Sequence, residues 1–132
     1  MALFSELPVY KLGYDLLIAI YDRTKLFNRE HKYTLGERLK NETLELLINI
    51  YKANKSKQAT RLQYIETARQ NIEVVRLLLR VTKDLKIIGI KGHVALNVQV
   101  EELSKQLSSW QKYTAGAHAK GQVNKYYGEC SK

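Results

Sequence analysis

Arg69, Arg76, Arg80 and Lys83 follow one another at spacings of seven, four and three residues. At about 100° per residue of α-helix, those spacings hold four cations within an arc of about 60°. The chemistry open to such a row is anion binding, because fixed guanidinium and ammonium groups meet phosphate or carboxylate oxygens without any change of protonation. Lys86 extends the row by one more cation. The competing use of these side chains is structural, as salt bridges between subunits to Glu66, Glu73 or the acids of the second helix.

Bond-making chemistry finds no support in the sequence. His31, His93 and His118 stand at no ligand spacing with one another or with Cys130, the one cysteine. Carboxylates are numerous, among them Glu37, Glu42, Glu45, Glu66, Glu73 and Glu101, yet no Glu is followed by His three residues on, as a di-iron bundle requires. Phosphate-loop, dinucleotide and nucleophile-elbow motifs are missing from the sequence. The sequence therefore predicts no catalytic residue, no cofactor and no metal centre. Of the tyrosines, Tyr10, Tyr14, Tyr21, Tyr51, Tyr64 and Tyr113 fall toward helix ends, where each could stack on an exposed base. The reading preferred for them is a buried ring with a wet hydroxyl.

Charge points the same way as the row. The net charge is +9, and residues 1–51 are balanced at seven basic and seven acidic groups. Residues 52–91 carry ten basic against three acidic groups, and residues 104–132 carry five against one. A surplus so localised attracts polyanions, nucleic acid first and acidic protein or lipid next. At 132 residues, 45% hydrophobic and 27% charged, the chain is expected to form one globular domain with its own core. A single cysteine permits no internal disulfide and suits a reducing cytoplasm; the N-terminus lacks a basic, apolar leader and no 18-residue apolar run occurs.

The elements that must carry the row are all helical. Ser5 and Pro8 suggest a start for a first helix over about 8–28, with Val9, Leu12, Leu16, Ile20 and Phe27 at helical spacing. Asn28 to Tyr33 reads as a connection, after which Thr34-Leu35-Gly36-Glu37 has the form of a capping box. The second helix follows through Leu35, Leu39, Leu46, Leu47, Ile50 and Tyr51 to about Ala53. After a turn at Asn54–Lys57, a third helix over 61–86 has two apolar stripes: Leu62, Ile65, Ala68, Ile72, Val75 and Leu79 on one face, Val74, Leu77, Leu78, Val81 and Leu85 nearly opposite. A small bundle covers one stripe, so the second predicts an oligomer interface. Gly89 and Gly92 are read as a break before a fourth helix whose seam of Leu96, Val100, Leu103, Leu107 and Trp110 ends near Tyr113. The strand-like alternation of Val94 to Val100 would have no partner strand. The expected architecture is an all-α, antiparallel up-down four-helix bundle over 1–114 that assembles into a homo-oligomer, followed by a flexible basic tail over 115–132.

Three segments of the sequence resemble a known family: Lys32–Glu45, the arginine-rich stretch Ala68–Arg80, and Lys105–Trp110. Together they are similar to the accessory variability determinant proteins of diversity-generating retroelements. The wider group includes the intervening-sequence protein of bacterial large-subunit ribosomal RNA genes. The resemblance covers roughly residues 7–113. It implies a ring-like homopentamer with a positive surface that binds a reverse transcriptase and nucleic acid, RNA first and DNA second, during mutagenic reverse transcription, and that supplies no active site. Arg69, Arg76 and Arg80 match the family's basic third-helix positions, with Lys83 and Lys86 in support. The ribosomal relatives carry an N-terminal tryptophan signature and a second helix like Ser-Ile-Pro-Ser-Asn-Ile-Ala-Glu-Gly; this chain has neither, which favours the retroelement branch. The rival expectation is a helical homo-oligomeric adaptor that grips protein alone.

Overall fold

The computed structural model describes the backbone over residues 7–130 and side chains over 7–117. Ser5 and the side chains of His118 and Cys130 lie outside the described residues. Four long helices build the molecule: α1 (Pro8–Thr24), α2 (Glu37–Lys55), α3 (Gln58–Asp84) and α4 (Ile90–Cys130). No strand occurs among the described residues. α1 packs on α2 and α4, and α3 packs on the same two, so sequence neighbours are spatial neighbours around one core. Leu16, Ile20, Leu39, Leu46, Ile50, Ile72, Val75, Leu79, Val100, Leu103 and Leu107 are sealed inside it. The α3 stripe expected to face the core does so from Ile65 to Leu79 and is extended by Thr82, while Leu62 at its start is half-buried. The α4 seam is buried from Leu96 to Leu107, and Trp110 rests half-buried against the core. Helical period thus overrides the local alternation of Val94 to Val100, leaving Val94 and Val98 outward at 54% and 51% exposure.

Helix boundaries depart from expectation where backbone groups find other partners. α1 stops at Thr24, whose hydroxyl donates to the Tyr21 carbonyl at 3.2 Å, and tight turns at Leu26 and Phe27 still tuck the Phe27 ring into the core. The capping box does not form. A helical turn already begins at Arg29–His31 and widens into a π-helical segment, Lys32–Gly36, that runs directly into α2. Thr34 therefore has no orphan amide to cap, and its hydroxyl donates back to the carbonyls of Glu30 and His31 at 3.1 and 3.3 Å. Glu37 pairs with Lys40 instead of reaching back.

The α2–α3 hairpin is closed by Arg61, which donates to the Ala53 and Asn54 carbonyls at the end of α2 (3.0 and 3.4 Å). Between the same helices a polar chain runs from Asn49 to Asn71 (2.8 Å), on to Glu42 (3.1 Å) and out to Arg38 (2.8 Å). Gly92 is no break: it lies buried in the first turn of α4, where a Cβ would approach the Arg23 guanidinium of α1 to 3.0 Å and Ile88 to 3.1 Å. The fourth helix does not end near Tyr113 either: no proline follows to remove a backbone donor, the alanines flanking Gly116 favour helix, and the helical trace continues to Cys130. The expected passage at residue 114 from bundle to tail is not marked by a backbone break, and the tail's side chains from 118 on lie outside the described residues.

Candidate nucleic-acid interface

The cationic row lies along the border of α3 that faces α4, because α3 turns its core stripe inward a quarter-turn away. Its members differ in what they touch. Arg69 is half-buried and donates to Gln111 of α4, whose amide in turn donates to Glu66 at 2.6 Å. Arg76 is clamped between Glu73, one turn back, and Glu101 of α4 at 2.9 Å, with its side chain 31% exposed. The Glu73 hydrogen bond, opposed in part by burial and reinforced by the charges of Glu73 and Glu101, raises its pKa above the ordinary arginine value. Two carboxylates around one guanidinium leave that locality net negative, so Arg76 works first as a strut between α3 and α4.

Toward the C-terminal end of α3 the balance reverses. Arg80 is 77% exposed and meets Asp84 only at 3.9 Å. Lys83, Lys86 and Lys91 are exposed and have no ion-pair partner among the described residues. From Arg80 to His93 four cations face one carboxylate, Asp84, and Arg23 of α1 reaches the same corner over Gly92. The unneutralised charge thus sits at the α3–α4 turn, while the middle of the row is engaged internally. Sequence reasoning placed Arg69 and Arg76 on one face with Arg80 but could not see Glu101 and Gln111 arriving from α4. Arg23 and Lys91 were missed, since nothing in their local sequence announces that the fold gathers them here.

Lys86 occupies a costly backbone conformation. Its φ is 60°, and Ile87 N–H donates to the Thr82 carbonyl at 2.9 Å while Lys86 N–H donates to Lys83. That is a Schellman closure with lysine where glycine is the usual residue. The left-handed conformation costs a side-chain-bearing residue about 1 kcal/mol, and here it sets an ammonium at the corner.

The second α3 stripe is only partly covered. Val74, Leu78 and Val81 are half-buried, whereas Leu77 and Leu85 are 60% and 57% exposed. Several of these tyrosines are more open than the preferred reading allowed: Tyr14, Tyr21, Tyr51 and Tyr113 are exposed, and lysines lie over Tyr21, Tyr51 and Tyr64 at 5.3, 5.7 and 5.9 Å from the ring centres. Among the described residues no three His, Cys, Asp or Glu side chains gather as metal ligands, and no helix is long and apolar enough to cross a membrane.

The sequence model of the bAvd-like family matches residues 9–114, four-fifths of the chain and the whole of its packed helical core. The chain belongs to the bAvd-like family. The resemblance carried by Lys32–Glu45, Ala68–Arg80 and Lys105–Trp110 thus leads to the right group. A search of curated proteins finds no match. Among solved structures, this bAvd-like chain is similar to a protein of unknown function from the S23 ribosomal protein family of Bacteroides thetaiotaomicron. The TM-score is 0.74 at 17% identity, over 79% of this chain and 95% of that one. At that identity the likeness shows a shared fold.

Proposed function

We propose that this bAvd-like protein is a non-catalytic accessory subunit of a diversity-generating retroelement, which holds nucleic acid, RNA first and DNA second, beside a reverse transcriptase in the cytoplasm. One observation carries the nucleic-acid part: the unpaired cations Lys83, Lys86 and Lys91, with Arg80, form a rigidly based corner containing a single opposing carboxylate. Phosphates docked there release counterions, so affinity falls steeply with salt and carries little base specificity. Arg69 and Arg76 contribute by fixing α3 against α4 and so holding the corner in place. Val74, Leu77, Leu78, Val81 and Leu85 supply contacts between copies, in a ring that family resemblance makes a homopentamer.

The test is fluorescence anisotropy of labelled structured RNA across a salt series. Charge reversal of Arg80 and Lys83 should weaken binding at least tenfold at low salt and flatten the salt slope by about two. Reversal of Arg76 should cost less affinity than that pair. A second reading, a helical adaptor for protein alone, is favoured by the exposed apolar row Ile90, Val94 and Val98, at 76%, 54% and 51%. Absence of RNA binding at low salt would select it.

A further inference from the structure

A groove of about 650 Å³ opens where α3 turns into α4, within the size range of small-ligand sites. Its walls are mostly aliphatic, from Ile88, Ile90 and Val94, and its charged lining comes from Lys83, Lys86 and Asp84. His93 adds a flat ring to the lining. The long α4 helix starts on the same groove at Ile90, directly after Gly89, and the Ile90 amide, as the first of the helix, has no partner within it. A Cβ on Gly89 would meet nothing within 4 Å, so the groove has open space at that point. Finally, Lys86 stands at the rim from the left-handed position that closes α3.

Apolar walls, a stacking ring and two cations at one helix start fit a ligand with a flat apolar face and an attached anion. We infer that the groove is a subsite for one unstacked nucleotide of single-stranded RNA. The base lies against Ile90, Val94 and His93, and its 5′ phosphate lies on Lys83, Lys86 and the first amide of α4. A duplex nucleotide has both base faces occupied and cannot enter. The inference rests on the nucleic-acid reading above, and it adds a preference for single strands that the charged corner alone does not give.

The test compares fluorescein-labelled single-stranded decauridine with a ten-base-pair RNA duplex, on the full chain and on the double variant Ile90→Ser, Val94→Ser. Both side chains are exposed, so their replacement leaves the core intact, and circular dichroism verifies helicity. Decauridine affinity should fall about tenfold in the variant with duplex affinity unchanged. Lys86→Gly, which relieves backbone strain, should also weaken decauridine more than duplex. A 4-thiouridine in the decamer should crosslink within residues 86–94 on near-ultraviolet irradiation. Equal responses of the two RNAs, or crosslinks confined to other segments, overturn the subsite while leaving the charged surface standing. A full chain that binds neither RNA at low salt overturns both.

Discussion

At the scale of single residues, the cationic row divides by its neighbours. Arg76 lies between Glu73 and Glu101, and its removal leaves two carboxylates facing each other near a helix–helix seam. Because all three side chains are about a third or more exposed, solvent screens the cluster, and Arg76→Ala should cost no more than about 1 kcal/mol in urea unfolding. Lys86 makes the opposite prediction for stability. Lys86→Gly removes the left-handed penalty of about 1 kcal/mol and adds a smaller unfolded-state entropy cost. The variant should therefore melt at the wild-type temperature or a few degrees higher, while its RNA affinity falls; a clear loss of stability would mean that the lysine side chain makes packing contacts that matter. The identities and spacing of Arg69, Arg76, Arg80, Lys83 and Lys86 were legible in the sequence. Their division was not, since Glu101 and Gln111 lie 25 and 42 residues from the arginines they bind.

At the scale of elements, long periodic stretches specify helices and leave their junctions to tertiary partners. The stripes of α3 and the seam of α4 were legible because a period near 3.6 sustained over several turns leaves one face to bury. The junctions were not. Thr34 and Glu37 carry a capping-box pattern, but the helical turn at Arg29–His31 arrives first and the chain crosses the gap through a π-helical segment. Gly92 looks like a breaker, whereas the fold uses its missing side chain to let Arg23 approach. Between α2 and α3 the Asn49–Asn71–Glu42 chain fixes one register by hydrogen bonds that a shifted pairing would break. Asn71→Ala should destabilise the protein by about 1–2 kcal/mol, because it leaves the buried Asn49 amide without its acceptor. Equal stability by thermal unfolding would show that water replaces the lost partner.

At the scale of the whole molecule, apolar surface and charge remain after the core is closed. Leu77 and Leu85 on α3 are exposed, and so are Ile90, Val94 and Val98 on α4. In the proposed ring, burial of Leu77 and Leu85 between copies contributes about 1.5–3 kcal/mol each. Leu77→Glu with Leu85→Glu should lower the solution mass measured by light scattering to that of a single chain of 15.3 kDa, with helicity unchanged. An unaltered mass would assign these side chains another role. By itself the sequence determined the helices, the two-faced character of α3, the surplus of positive charge and membership of the family's pattern, because each is written in residue type and local spacing. Only the tertiary structure decided which cations are spent on carboxylates and which stay free, and where Arg23, Lys83, Lys86, Lys91 and His93 meet. That outcome depends on distances between groups far apart in the chain, which packing sets and local sequence does not record.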